Sequence, residues 1–243
     1  MRVIRQMKKY NYDLGIIGGM GPAATAEIFQ RIVSKTKASK DQEHMRICLL
    51  NNTIIPDRSK YLLEHGDNPL PYLKKNVRQL MKLRVKSFII ACNTAHYFID
   101  NLHYNHRKMT FYSIIDETVA YIKTHFLDYK VCILATKGTV NTKVYAQKLD
   151  ELSIQQIRLN EIEQEKMMAV INMTKAGLPK QEIFKTLESV VKNVSKQEEK
   201  CLFVLGCTEL SLYKADLSTQ YNVIDAMDIL IEKVIVANHF ELN

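Results

Sequence analysis

The chain has 243 residues, 47% of them apolar and 25% charged, an ordinary globular balance with enough length for one large or two small buried cores. No apolar run approaches the ~20 residues that span a bilayer, so a membrane protein is not expected. The net charge of +8 is scattered along the chain without aromatic interleaving or a recognisable binding motif, which argues against a nucleic-acid partner. Residues 1–10 are basic but lack the apolar stretch of a secretory signal, and read as a solvated extension into the first strand. Short apolar runs then predict strands over residues 14–17, 47–50, 87–91, 111–115, 131–135, 154–159, 202–205 and 223–224. Between them, helical patterns cover residues 25–34, 72–83, 116–124, 142–149, 161–175, 180–194 and 227–236. Strand–helix alternation with fully apolar strands indicates an α/β fold, with mostly parallel sheets covered by helices on both faces.

The chain also repeats itself. Leu14 to Gly21 matches Val131 to Gly138, an offset of 117 residues (131 − 14). Phe88 to Thr94 matches Phe203 to Thr208, with the cysteines 115 apart (207 − 92). Ser113 to Asp116 matches Asn222 to Asp225, 109 apart (225 − 116). Three landmarks in one order predict two pseudo-symmetric α/β units with a cleft between them.

Five cysteines without a CxxC pair fit neither a disulfide scaffold nor a metal site. Cys48, Cys132 and Cys201 lie inside apolar runs and read as core residues. Cys92 and Cys207 instead stand where an apolar run gives way to polar residues, at the strand ends where open α/β sheets bind ligands. Free thiols in such a chain point to a reducing cytoplasm.

Opposed thiols have a specific chemical use. Inverting a carbon centre without an electron-sink cofactor needs one group to remove a proton from one face and another to deliver one to the other. Thiols suit both roles, because their ordinary pKa near 8.5 can be tuned by neighbouring donors. Asn93, Thr94 and Thr208 supply such donors beside the two cysteines. His96 reads either as a third catalytic group or as a helix-start residue with a hydrogen-bonded ring. Glu209 reads either as a partner of Cys207 or as an acidic residue favouring a helix N-terminus. The glycines at 15, 18, 19 and 21 do not fit the dinucleotide spacing, and strand 47–50 ends in Asn51 and Asn52 rather than an acid. They read better as a tight turn presenting amides to a carboxylate, with Pro22 near a helix start.

These residues resemble the aspartate/glutamate racemase superfamily, most closely its aspartate racemase branch. The carriers are the stretches 18–27, 55–58, 92–96, 135–139, 175–177 and 206–209, spread over nearly the whole chain. The resemblance implies a cofactor-free, pyridoxal-independent homodimeric racemase without a metal, whose active site lies between two similar domains. It implies Cys92 and Cys207 as proton donor and acceptor, and Arg58 and Lys175 as the cations that hold substrate carboxylates. Met20, Asn93, Thr94, Thr136, Thr139, Thr208 and Glu209 complete the implied substrate site. The implied domains are residues 1–108 with 220–243, and 109–219. Arg58 and Lys175 are also 117 apart (175 − 58), matching the first repeat offset, though without these arguments both would pass for surface charges. The turn Gly19-Met20-Gly21 and Glu209 depart from the glutamate branch, which favours aspartate as substrate. Ile171 stands where close aspartate racemases often carry tyrosine, leaving substrate breadth open. The alternatives are a glutamate or broad-specificity racemase, or a relative that binds amino acids without turnover.

Overall fold

The computed structural model describes residues 10–243, so the expected N-terminal extension lies outside the described residues except for Tyr10. Strands of a parallel sheet are apolar on both faces because helices cover both. The eight strands among the described residues follow that rule at the centre and relax it at the edges. They are β1 (Tyr12–Gly18), β2 (Ile47–Asn51), β3 (Val85–Ile90), β4 (Thr110–Phe111), β5 (Lys130–Leu134), β6 (Gln156–Ile157), β7 (Cys201–Leu205) and β8 (Asn222–Asp225). They form two four-stranded sheets of the same topology, β2-β1-β3-β4 and β6-β5-β7-β8, with parallel pairs throughout. The internal repeat is therefore structural. Ile17 pairs with Ile90 in the first sheet as Leu134 pairs with Leu205 in the second.

Helices α1 (Pro22–Lys35), α4 (Ile114–His125) and α10 (Ala226–Ala237) share one core with both sheets. Their starts are set locally: proline at the first turn of α1, the Ser113 side chain accepting from Asp116 N–H at α4, and Asp225 accepting from Met227 N–H at α10. The opposite face of the first sheet is covered by α3 (Leu70–Lys82), whose Leu73, Val77 and Leu80 are fully buried or nearly so. At roughly 1.5–3 kcal/mol for each buried aliphatic side chain, that one stripe holds the helix down. Helices α7 (Glu161–Lys175) and α8 (Lys180–Ser195) cover the second sheet in the same way.

The structure corrects several predicted elements. Residues 111–115 are not one strand, because Ser113 caps a helix and Ile114 and Ile115 already belong to α4. The strand expected over 154–159 shrinks to the two residues of β6 at a sheet edge. The helix expected over 142–149 starts only at Ala146 (α6, Ala146–Glu151), because the chain turns at Lys143, whose φ is +56°, and a short helix that was not expected, α5 (Lys137–Asn141), precedes the turn. Helices α2 (Arg58–Glu64) and α9 (Lys214–Leu217) were not anticipated. Cys132 and Cys201 are core residues as expected, whereas Cys48 is only partly buried, on edge strand β2. Two strands fall across the expected domain boundaries: β4, after residue 108, joins the first sheet, and β8, after residue 219, joins the second. The C-terminus nonetheless packs back on α1, where Leu242 bridges Thr36.

Candidate functional site

Each central sheet ends in the same local device. Ala91 N–H donates to Ile17 O and Gly206 N–H donates to Leu134 O, both at 2.9 Å, extending the parallel ladder by one residue. The next residues are Cys92 and Cys207. From there the chain leaves each sheet in a 3-10 turn, over Thr94–Asn101 and Thr208–Tyr213. Both cysteines are buried, and both line one closed cleft between the halves together with Met20, Asp57, Arg58, Ser59, Asn93, Thr94, Thr136, Lys175, Thr208 and Glu209. Of the eleven site residues expected from the sequence, only Thr139 does not line it. The free volume is about 10 Å³, room for about one water, so the cleft must open to admit a ligand. It adjoins a vestibule of about 430 Å³, which shares Met20, Asp57, Arg58, Lys175, Thr208 and Glu209 with it. A hollow of about 460 Å³ lies behind the second sheet, among Val131, Ile133 and Gln156, and holds neither of these cysteines. Size alone does not locate this site.

The halves meet closely. Thr94 Oγ1 lies 3.0 Å from Thr136 Oγ1 and 2.8 Å from Thr139 Oγ1, so Thr139 supports the cleft wall from one layer behind. A Cβ on Gly138 would stand 2.6 Å from Ser59 Oγ and 3.1 Å from Ser59 Cα, so glycine is what lets α5 approach α2. Tyr145 OH donates to Asn93 Oδ1 at 2.6 Å, which fixes the amide and leaves its buried Nδ2 without a protein partner. Tyr145, Asp57 and Ser59 were not singled out from the sequence. Asp57 lies inside the quoted stretch 55–58, but nothing local marked Tyr145.

The glycine turn works differently from the expectation. Gly19, at φ +87°, would drive a Cβ to 2.3 Å from the backbone of Asn52, so no other residue fits. Its amide is already taken by Thr25 Oγ1 at 2.9 Å, and the turn offers the Met20 carbonyl to the Arg58 guanidinium at 2.8 Å. Arg58 also donates to Pro56 O at 3.1 Å, while its buried Nε has no partner. Arg58 opens α2, where the helix dipole disfavours a cation, whereas Lys175 closes α7, where it is favoured. The two converge on one cleft, but their shared offset is not a structural equivalence. Ile171 is fully buried in the α7 core and does not line the cleft.

Charge in the cleft is balanced by its neighbours. Burial works against the Arg58 cation, but the Cys92 sulfur and Asp57 more than offset it and raise its pKa. Lys175 is likewise opposed by burial and raised by Glu209 and Cys207, and no ion-pair partner lies within reach of its ammonium among the described residues. Burial, then Glu209, push the Cys207 thiol well above the ordinary range, and its Sγ donates to Glu209 Oε2 at 2.9 Å. Glu209 is thus a direct partner of Cys207, and it also sits in the first turn after that residue. His96 takes the structural role. Its Nδ1 donates to Cys92 O at 2.9 Å, its Nε2 accepts from Ile114 N–H at 3.2 Å, and burial holds its pKa down at about 4. Among the described residues no three His, Cys, Asp or Glu side chains cluster as a metal site, and no helix is long and apolar enough to cross a membrane.

Two four-stranded parallel sheets with paired cysteines at their inner strand ends define a particular class. The chain belongs to the Asp/Glu/Hydantoin racemase family, whose model matches residues 17–234. Among solved structures it is similar to the aspartate racemase of Picrophilus torridus, at 28% identity and a TM-score of 0.85, over 95% of this chain and 96% of that one. The glutamate racemase of Campylobacter jejuni subsp. jejuni shares the fold at 17% identity and a TM-score of 0.64, over 95% of this chain and 88% of that one. By sequence, the chain is 24% identical over 148 residues to glutamate racemase 3 of Caldanaerobacter subterraneus subsp. tengcongensis. That match spans 59% of this chain and about half of the relative, 52%.

Proposed function

We propose that this chain is a pyridoxal-independent racemase that interconverts L- and D-aspartate, with Cys92 and Cys207 acting on opposite faces of the α-carbon. The observation that carries the reading is the convergence of both sulfurs, from equivalent strand ends, on one closed cleft that also holds Arg58 and Lys175. In the proposed reaction one thiolate removes the α-proton and the other thiol delivers a proton to the opposite face. Exclusion of water from so small a space keeps the carbanion from uncontrolled protonation and strengthens every charge interaction in it. Two cations suit a dicarboxylate, and Asn93 Nδ2 is left to donate to it by the bond that fixes its Oδ1. Similarity to the Picrophilus aspartate racemase over both chains supports aspartate over glutamate. Five free thiols support a reducing cytoplasm, and the family resemblance supports a homodimer whose chain divides as residues 1–108 with 220–243, and 109–219, adjusted so that β4 goes with the first unit and β8 with the second, as their sheet pairing requires.

The test is proton NMR of L- and D-aspartate in D2O with enzyme freed of metal and pyridoxal by chelation and dialysis. Exchange of the α-proton with racemisation of both enantiomers is expected. Strict dependence on added pyridoxal phosphate would refute the mechanism, and turnover of glutamate alone would refute the substrate.

A further inference from the structure

We propose that Glu209 is the port through which Cys207 exchanges its proton with solvent between turnovers, an inference that rests on the two-thiol racemase reading. A two-base enzyme ends each turnover in the wrong protonation state for repeating it. If Cys207 has given its proton to the substrate, it is left as a thiolate while Cys92 carries the proton taken from the other face. Acting again on the same enantiomer requires Cys207 to regain a proton and Cys92 to release its own to water.

The two oxygens of Glu209 face different ways. Oε2 accepts from Cys207 Sγ at 2.9 Å. Oε1 is buried without a protein partner, and a Cβ built on Gly21 would lie 3.1 Å from it. Gly21 lines the vestibule, whereas Glu209 lines both the vestibule and the cleft. The carboxyl therefore stands between the sulfur and the larger space. The closed cleft has room for about one water, so it offers the sulfur no continuous water path of its own.

The relay balances. When the cleft opens between turnovers and uncovers Oε1, a vestibule water, as hydronium, gives it a proton and leaves as water. A half-turn of the carboxylic acid about Cγ–Cδ brings that O–H to the sulfur. The O–H bond breaks, the S–H bond forms, and the carboxylate is regenerated. Glu209 acts through Cys207 and needs no contact with the reacting carbon.

Slowing the reset has a kinetic signature that a merely structural role lacks. When two forms of the free enzyme interconvert slowly, the product binds a form that the substrate does not, and product inhibition becomes noncompetitive. In E209Q, with L- and D-aspartate as probes, kcat should fall at least about tenfold more than kcat/KM, and inhibition by the opposite enantiomer should change from competitive to noncompetitive. G21A is the second variant: Gly21 has φ −104°, open to any residue, and the added methyl presses on Oε1 while sparing both thiols. It should give the same change of pattern with a kcat loss of about threefold. Equal losses of kcat and kcat/KM with competitive inhibition in E209Q would overturn the relay. If E209Q does not fold, an unchanged pattern in G21A would overturn it. Wild-type enzyme that racemises neither aspartate nor glutamate would instead bring down the proposed function, and the relay with it.

Discussion

Replacing Arg58 separates the two readings that its setting allows. The guanidinium is buried and donates to the Met20 and Pro56 carbonyls, so it holds the glycine turn against the start of α2. Arg58→Ala would strip both acceptors of a charged donor, at a cost of about 1.5–3 kcal/mol each. Against that stands relief of the burial penalty on the cation, so we expect a net destabilisation of about 3 kcal/mol, or roughly 6–12 °C in Tm for a chain of this size. A purely structural arginine would show that loss and little else. If it also grips a substrate carboxylate, kcat/KM for aspartate should fall about tenfold to over a hundredfold in enzyme that is still folded at the assay temperature. Arg58→Lys keeps the charge but loses the fork, and should fall between the two. Thermal unfolding and racemisation followed by circular dichroism measure both quantities. A destabilised Arg58→Ala enzyme with the wild-type kcat/KM for aspartate would refute the role in binding.

Cys92→Ser and Cys207→Ser should each nearly abolish racemisation while leaving slow α-proton exchange of one enantiomer, opposite in the two variants. Proton NMR in D2O measures this, and exchange of the same enantiomer by both would exclude bases on opposite faces. His96 is held neutral, with a pKa near 4 against an ordinary 6.5, because it is buried. Its depressed folded value means that it adds stability above pH about 6.5, which is lost as pH falls towards 4. Urea titrations across that window should show the loss, and should show less of it in His96→Gln; an unchanged pH dependence in the variant would assign the loss to other groups.

The sheets were legible because central parallel strands are apolar on both faces, which made residues 14–17, 131–135 and 202–205 stand out as runs. The equivalence of Cys92 and Cys207 was legible from repetition alone. Edge strands β4 and β6 are two residues long and have no period to read. At Ser113 the same Ile114 and Ile115 serve a strand pattern and a helix start equally, and the cap decided for the helix. The Tyr145–Asn93 bond joins residues 52 apart, and the narrowness of the cleft depends on Gly138 meeting Ser59. Neither contact leaves a local mark. The matched offset of Arg58 and Lys175 was the opposite case, a local regularity that did not reflect equivalent positions.

The backbone is symmetric where the side chains are not. Equivalent ladders deliver the two sulfurs, but Cys92 lies beside the Arg58 guanidinium and Cys207 beside the Glu209 carboxylate. Burial and that carboxylate raise the Cys207 pKa and favour its thiol form, so in the proposed reaction Cys207 is the acid of the resting site. Such a site meets the two enantiomers unequally. In an achiral solvent, however, L- and D-aspartate have the same free energy, so their equilibrium constant is one. Thermodynamics then forces kcat/KM to be equal in the two directions whatever the site looks like. The asymmetry can appear only in how that ratio is divided, with the enantiomer whose reaction starts from the Cys207 thiol meeting more of the free enzyme in its reactive form. We therefore expect kcat and KM to differ between the enantiomers by a common factor, measured as initial rates in each direction. Equal kcat and equal KM would mean that the two thiols are energetically alike, and that the contact between Cys207 and Glu209 has no weight in the cycle.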